Sequence, residues 1–369
     1  MRKEIIASSE AFEAIKQEWK ALVARLPDHT IFMTWEWQYL WWETYAERFK
    51  NARLRILTYY DEGQLVAILP YFVYDEPMGP FTLRKAAYLA SKIESSDYLD
   101  IITLPQYREY FEAHLVDDLK SLAHDADVIE LNHCLPESIM YQIFQGHSNG
   151  NHYVEKFRVC PYVELPESFD AYLKQLSANF RSNVRRRTKK LLIKEKARFE
   201  LVNETEDIDS VITSVFHLHE KRARQKGLDT KFVPELRQKF HQQVAQALVP
   251  QGYIKLFQLT SRNGEKIASL YCFDYGKTLA YFQSGFDPAW SNYSPGLVIL
   301  GKAIEFAIQQ GYRIFDFMRG GEAYKKNWGT IDRYIYLITV LNSPKGWLYL
   351  TLLKNKKRLK TIITREKHR

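Results

Sequence analysis

The sequence lacks most of the short motifs that mark a catalytic or cofactor site. It contains no P-loop, no GxGxxG, no HExxH zinc motif and no paired CxxC. Its three cysteines are scattered and odd in number, which is typical of buried, reduced thiols rather than of a disulfide framework. The ten histidines never cluster at metal-ligand spacing, so we expect no metal ion. The serines at 284 and 291 have no neighbouring histidine, which disfavours a Ser-His hydrolase.

Long hydrophobic runs are also missing. No apolar stretch approaches the roughly 20 residues that a membrane-spanning helix needs. The N-terminal segment is charged and has no apolar core, unlike a signal peptide. Together these observations predict a cytoplasmic protein.

The length of 369 residues predicts two domains, because a single core rarely grows beyond about 250–300 residues. A repeated order of predicted elements supports this division. Residues 53–74 and 253–275 are each predicted to form two strands around a tight Gly turn, and an amphipathic helix precedes each pair. We therefore expect two similar α/β domains, over residues 1–158 and 159–345, followed by a basic C-terminal helix or tail over 346–369.

The net charge of +8 is concentrated in two segments. Residues 181–198 and 345–369 each hold nine Lys or Arg against one Glu, so the remainder of the chain carries about −8. The first segment lies in a predicted long helix, Ser168–Lys196. Three interpretations are open for it: a surface that binds nucleic acid, a solvated helix face, or a site that binds an anionic ligand. The second combines basic residues with apolar ones, which is consistent with peripheral contact to an anionic membrane surface or with a packed helix.

The most informative stretch runs from Thr278 to Gly329. It predicts a strand, a helix that begins at Ser294-Pro295-Gly296 and ends at Gly311, and a second strand, joined as a parallel crossover. Ligands of such units bind beyond the carboxyl ends of the strands, where the polar loop after Arg319 should lie. The helix start offers main-chain N–H groups and a positive dipole end to a phosphate.

Four motifs in this stretch carry a family resemblance. FQSGFDP (282–288), SPGL (294–297), FDFMRG (315–320) and EAYKKNWG (322–329), together with LSANFRSNVRRR (176–187), resemble the CelD-like acetyltransferases of the GNAT superfamily. These are bacterial proteins often associated with exopolysaccharide production. The chain is more distantly similar to the Fem peptidyltransferases, which pair two GNAT-like domains.

The resemblance implies two tandem GNAT-like acyl-CoA N-acyltransferase domains, each a mixed central sheet flanked by helices, with a degenerate first domain. It also implies acetyl-CoA or another acyl-CoA as donor and an amine of a sugar, polysaccharide precursor or similar small molecule as acceptor. Its expected catalytic residues are Glu322, Asp316 and Lys325, and its expected donor-binding residues are Gln283, Ser294, Gly296 and Leu297. Its expected substrate-binding residues are Arg181, Arg185, Tyr281, Arg319, Tyr324 and Trp328.

Two points stay open at this level. Asp316 alternates onto one strand face with Ile314 and Met318, so it is either a site acid or a buried acid paired with an arginine. The loop 291–297 keeps only one glycine of the usual phosphate-binding pattern, so an aminoacyl-tRNA donor, as in Fem proteins, is an alternative to acyl-CoA. A third interpretation is a non-catalytic accessory protein of polysaccharide or cell-envelope synthesis.

Overall fold

A computed structural model of the chain describes residues 1–94, 96–146, 151–202, 208–225, 227 and 234–366, with backbone alone at 146, 234 and 356–366. The side chains of the predicted basic tail beyond residue 355 therefore lie outside the described residues. Within the described ranges, no helix is both long and apolar enough to cross a bilayer.

The elements in chain order are β1 (Arg2–Ile6), α1 (Ser9–Ala14), α2 (Lys16–Ala24), α3 (Trp35–Tyr45), β2 (Lys50–Asp61), β3 (Gln64–Met78), β4 (Phe81–Tyr88), β5 (Ile102–Thr103), α4 (Arg108–Leu122), β6 (Val128–Cys134), α5 (Ile139–Gly146), β7 (His152–Glu164), α6 (Phe169–Gln175), α7 (Ala178–Thr188), β8 (Arg198–Val202), α8 (Ile208–Gln225), α9 (Pro234–Leu248), β9 (Ile254–Thr260), β10 (Lys266–Tyr275), β11 (Thr278–Phe286), α10 (Pro295–Gln309), β12 (Ile314–Asp316), α11 (Ala323–Lys326), β13 (Ile331–Leu341) and α12 (Pro344–Glu366). Strands and helices alternate through much of the chain, as an α/β fold requires.

The chain divides into two compact units. The first contains Met1–Leu26, Trp41–Phe157 and Ile335–Arg369, and the second contains Pro27–Leu40 and Arg158–Tyr334. The predicted domains, 1–158 and 159–345, are continuous ranges. In the structure, residues 27–40 belong to the second unit and the residues from 335 onward belong to the first. A continuous boundary is the simplest assumption from sequence, because nothing local marks a segment that joins the other unit.

In the first unit the strand order is β1-β2-β3-β4-β6-β13, with β5 on β3. The hairpin predicted at Asp61–Gln64 is confirmed: β2 and β3 pair antiparallel, and Glu62 and Gly63 take the positive φ values that a tight hairpin turn requires. β4 and β6 pair in parallel, joined through a crossover that contains α4.

In the second unit the strand order is β7-β12-β11-β10-β9-β8. The parallel crossover predicted for 278–329 is confirmed, since β11 and β12 pair in parallel on either side of α10. The helix packs its apolar face, which includes Val298, Ile304 and Ile308, into a core that also contains Leu270 and Phe315. α10 begins at Pro295, as expected, and ends before Gly311, whose φ is +76°.

The long helix predicted over Ser168–Lys196 is wrong in its continuity. α6 ends at Gln175, Leu176 is extended, and α7 begins after Ser177, whose hydroxyl accepts a hydrogen bond from the N–H of Phe180. After Thr188 the chain continues as a wider π-helical turn over Lys189–Lys194. The serine cap therefore separates two helices that the sequence analysis predicted as one.

Candidate functional site

Two strands of the second unit separate at the point where the site forms. β11 and β12 are paired from Thr278 opposite Ile314 to Ala280 opposite Asp316. β12 then ends, and the N–H of Phe317 donates to the carbonyl of Pro161 on β7. β11 instead continues to Phe286 along β10. The gap that opens between the two strands leads into two adjacent cavities.

The first cavity has a volume of about 420 Å³ and lies between the end of β11 and the start of α10. It is lined by Phe180 and Asn183 of α7, Arg222 of α8, Tyr281, Ser284 and Phe286 of β11, Ser291, Ser294, Gly296, Leu297 and Leu300 at the helix start, and Tyr324, Asn327 and Trp328. Three of the four predicted donor-binding residues, Ser294, Gly296 and Leu297, therefore line one cavity.

The start of α10 is exposed to this cavity. Ser294 occupies the N-cap position with φ of +55°, but its hydroxyl makes no capping hydrogen bond to this helix. The main-chain N–H groups of Leu297 and Val298 bond to the Ser294 carbonyl at 3.0 and 3.2 Å. A Cβ at Gly296 would lie 3.3 Å from the Phe286 ring, so any side chain there would crowd the entrance.

The second cavity has a volume of about 480 Å³ and is more polar. It is lined by His219, Arg222 and Ala223 of α8, Tyr281, Phe282, Gln283 and Ser284 of β11, and Phe317, Met318, Arg319, Glu322, Tyr324 and Lys325 of the segment after β12. Gln283 was predicted to bind the donor with the Ser294 segment, but it lies in this cavity rather than the first.

Four side chains line both cavities: Arg222, Tyr281, Ser284 and Tyr324. The hydroxyls of Tyr281 and Ser284 are 2.6 Å apart, and the Tyr324 hydroxyl lies 3.4 Å from that of Tyr281. Burial raises the pKa of both phenols, so each stays protonated near neutral pH and can donate a hydrogen bond. A chain of three hydroxyls therefore stands where the cavities meet.

The backbones of α8 and β11 are in close contact at Gly285. A Cβ at Gly285 would lie 2.3 Å from the main-chain nitrogen of His219 and 2.7 Å from Cβ of Leu218, closer than atoms can approach. Only glycine allows the helix backbone to rest on the strand at this point. This contact places His219 and Arg222 at the two cavities.

His219 is a half-buried imidazole in the second cavity. Its Nδ1 lies 2.6 Å from the amide nitrogen of Gln283 and 3.3 Å from the carbonyl oxygen of Ser284. Burial lowers the pKa of the imidazole, so the ring is mainly neutral at pH 7 and can accept a proton.

Arg222 supplies a cation beside the start of α10. Its guanidinium stacks over the Phe286 ring at 4.6 Å, and that ring faces Gly296. The loop before α10, residues 287–294, has no basic residue of its own, so the cation beside this helix start comes from α8.

Lys325 is buried within the loop that follows β12. Its Nζ donates to the carbonyls of Phe317, Arg319 and Gly320 at 3.0–3.2 Å and pairs with the Glu322 carboxylate at 2.9 Å. An ammonium group has three protons, and four acceptors already surround it. Lys325 therefore holds the loop in shape and presents Glu322, whose side chain is 55% exposed, to the second cavity.

A protein-family model matches the part of the chain that forms the two cavities. Residues 178–326 match the model of the family described as Acetyltransferase (GNAT) domain, and this range contains most of both cavities. A comparison with curated protein sequences finds no match.

Among solved structures, FemX is similar with a TM-score of 0.64 and 15% identity, over 94% of this chain and 99% of FemX. The C-terminal domain of an Agrobacterium fabrum protein assigned as a lysylphosphatidylglycerol synthetase has a TM-score of 0.54 and 12% identity, over 92% and 96%. L-PGS from Bacillus licheniformis has a TM-score of 0.51 and 11% identity, over 91% and 95%. The fold is of the GNAT acyltransferase type.

Asp316 lies outside both cavities. It is 1% exposed, accepts a hydrogen bond from the N–H of Met318 at 2.7 Å and pairs with Arg333 at 2.7 Å. Of the two alternatives that the sequence left open, the contacts match the buried acid paired with an arginine.

Arg181 and Arg185 also lie away from both cavities. Arg181 donates to the carbonyl of Lys174 at the end of α6, and Arg185 pairs with Asp170 at 2.9 Å. The reason is helical geometry, because α7 turns Phe180 and Asn183 toward the first cavity. Arg181, one residue after Phe180, is rotated by about 100° from it, and Arg185, two residues after Asn183, by about 200°. The two arginines instead line a shallow external groove with Arg186 and Lys189.

The remaining predicted residues, Tyr281, Arg319, Tyr324 and Trp328, line one or both cavities. Trp328 is 2% exposed and stacks edge-on against Phe180 with ring centroids 5.0 Å apart, forming one wall of the first cavity. His219, Arg222 and Ser284 were missed as site residues. α8 is about 60 residues from β11 in sequence, and the local signal that could have pointed to it is the glycine at 285 inside a strand pattern.

Proposed function

We propose that this protein is an N-acyltransferase that moves an acyl group from an acyl-CoA donor to an amine. The observation that carries the proposal is the pair of cavities that meet at Tyr281, Ser284 and Tyr324, where two strands of a GNAT fold diverge. One cavity holds a helix start suited to phosphates, and the other holds groups suited to an amine. As a finer proposal, we place the chain with the CelD-like acetyltransferases on its sequence motifs.

In this proposal the donor occupies the first cavity. The positive end of the α10 dipole, at Gly296 and Leu297, together with the Arg222 guanidinium, attracts the donor phosphates. The thioester then lies near the Tyr281 and Tyr324 hydroxyls, and Trp328 closes the wall. The fit rests on three features of this chain: a glycine at the helix start, a neighbouring cation and an open volume.

The acceptor amine occupies the second cavity. Its nitrogen attacks the thioester carbonyl, and the coenzyme thiolate leaves as the amide bond forms. His219 accepts the amine proton, since the Glu322 carboxylate is engaged by Lys325. Tyr324 or Tyr281 donates a hydrogen bond to the departing thiolate, because both phenols stay protonated. Arg319 and Arg222 favour an acceptor that carries a negative group, such as an acidic amino sugar or polysaccharide precursor.

Two measurements test this function. Isothermal titration with CoA and acetyl-CoA should give saturable binding that Arg222→Gln weakens about tenfold or more, while Arg224→Gln, an exposed neighbour on the same helix, should bind like the wild type. A thiol-release assay with acyl-CoAs and amino sugars should then identify the acceptor, and His219→Gln should lower kcat by about 10²–10⁴-fold. No CoA binding at millimolar concentration would refute the acyl-CoA donor.

A Fem-like transferase that takes its acyl group from aminoacyl-tRNA is the second candidate. Two observations favour it: the similarity in fold to FemX and the external groove of α7 that presents Arg185, Arg186 and Lys189. RNA binding by such a surface should weaken steeply with salt and with the replacement of Arg185 and Arg186 by alanine. Binding of tRNA that is unaffected by both would exclude this role for the groove.

A further inference from the structure

The C-terminal helix α12 is fixed to the first unit at its start. A Cβ at Gly346 would lie 2.4 Å from the carbonyl oxygen of Asp127, so the helix backbone rests directly on the residue before β6. The Ser343 hydroxyl donates to the Asp127 carboxylate, and Leu350 packs in a small core with Leu83. The face of α12 that carries Gly346 and Leu350 therefore packs against the rest of the first unit.

The solvent-exposed side of these turns carries large apolar side chains. Trp347, Leu348 and Leu352 are 48%, 44% and 50% exposed. Nine large apolar side chains are exposed in the described part of the chain, and three of them fall within these six residues. Leu348 and Leu352 lie one turn apart on the same face of the helix, and Trp347 is rotated by about 100° from Leu348. Single exposed apolar residues are ordinary, but three within two turns of one helix form a larger apolar surface, of the kind that marks an interaction site. We refer to these three residues as the apolar patch.

Positive charge surrounds the apolar patch. Lys345 and Lys354 are exposed on either side of it. The Lys354 ammonium lies over the Tyr153 ring at 4.4 Å, so its position is defined by the first unit. In sequence, residues 345–369 hold nine Lys or Arg against one Glu. The partner of this helix must therefore accept apolar side chains and repeated positive charge at the same surface.

An anionic lipid bilayer has both properties. Its headgroup layer attracts lysines at about 1 kcal/mol each, and the acyl boundary beneath it takes up Trp and Leu from a helix that lies in the interface. A nucleic acid would use the lysines but offers no apolar layer for three such side chains. We propose that α12 docks this protein on the surface of an anionic bilayer through the apolar patch and its flanking lysines.

Vesicle co-sedimentation of the full-length protein tests the proposal. We expect binding to phosphatidylcholine vesicles that contain phosphatidylglycerol, and weak binding to phosphatidylcholine alone. Lys345→Gln with Lys354→Gln should weaken partitioning about 30-fold, from about 2 kcal/mol at 1.4 kcal/mol per tenfold change. Replacing all three residues of the apolar patch by Gln should weaken it about 100-fold, because roughly half of each side chain remains to be buried.

Ile5→Gln is the matched control, since Ile5 is 51% exposed on β1 and lies outside the apolar patch. It should bind vesicles like the wild type, and all variants should keep the wild-type melting temperature. A blue shift of tryptophan emission on vesicle binding should be reduced in Trp347→Phe. Equal binding by the triple variant, or no binding to anionic vesicles, overturns the proposal. A dimer that the triple variant converts to a monomer, without vesicle binding, would assign the apolar patch to a second copy of the chain.

Discussion

Replacing Lys325 by methionine removes the charge that organises the loop after β12 while keeping a side chain of similar length. The change leaves the carbonyls of Phe317, Arg319 and Gly320 without their shared donor and the Glu322 carboxylate without its partner. Removing one partner of a buried ion pair costs about 3–5 kcal/mol. Because Glu322 is 55% exposed and can be rehydrated, we expect about 3 kcal/mol.

The second unit holds about 190 residues, and in domains of that size 1 kcal/mol shifts Tm by about 2–4 °C. Lys325→Met should therefore lower the melting temperature of this unit by about 6–12 °C, measured by calorimetry. Lys326→Met is the matched control, because Lys326 is exposed and should change Tm by less than about 2 °C. The rate of acyl transfer should also fall, because the loop that carries Arg319 loses its fixed conformation. A Lys325→Met protein that melts like the control but has lost activity would refute the positioning role and restore a chemical role for the amine.

Three further predictions concern the same unit. Gly285→Ala should destabilise the second unit by about 3 kcal/mol in urea unfolding, because its Cβ would collide with the main chain of α8 at His219; unchanged stability would contradict that packing. Gly296→Val should weaken CoA binding in calorimetric titration by tenfold or more with Tm nearly unchanged, because a side chain there meets the Phe286 ring; wild-type affinity would place the donor elsewhere. Burial lowers the pKa of His219, so the unfolded state binds more protons and the wild type should lose stability as pH falls below about 6.5. His219→Gln should flatten that loss between pH 7.5 and 5.5, and an identical pH dependence in both proteins would exclude the effect.

Local features of the sequence were sufficient for the central crossover. Pro295 at the first helical position, the apolar repeat through Ile308 and the glycine at 311 together specify α10, because each acts on the backbone within a turn or two. The motifs around Gly296 and Trp328 contain residues that line the first cavity. Such features are readable because their physical cause lies within a few residues.

The site itself depended on contacts between distant segments. Arg181 and Arg185 belong to a conspicuous basic run, yet a rotation of about 100° per residue turns them away from the cavity that Phe180 lines. Asp316 and Lys325 look like catalytic groups in sequence, but burial beside Arg333 and among loop carbonyls gives them structural partners. Whether a charged side chain meets solvent, a ligand or a buried partner is decided by packing, and packing joins residues that lie far apart in the chain.

His219 and Arg222 show the same dependence from the other direction. Their helix, α8, contacts β11 this closely only because Gly285 has no side chain. The separation of the two segments in sequence does not predict that contact. The sequence specified where helices and strands begin and end through short-range propensities, caps and turns. The tertiary structure decided which of their polar groups face a common cavity, because that choice depends on how close two backbones can approach.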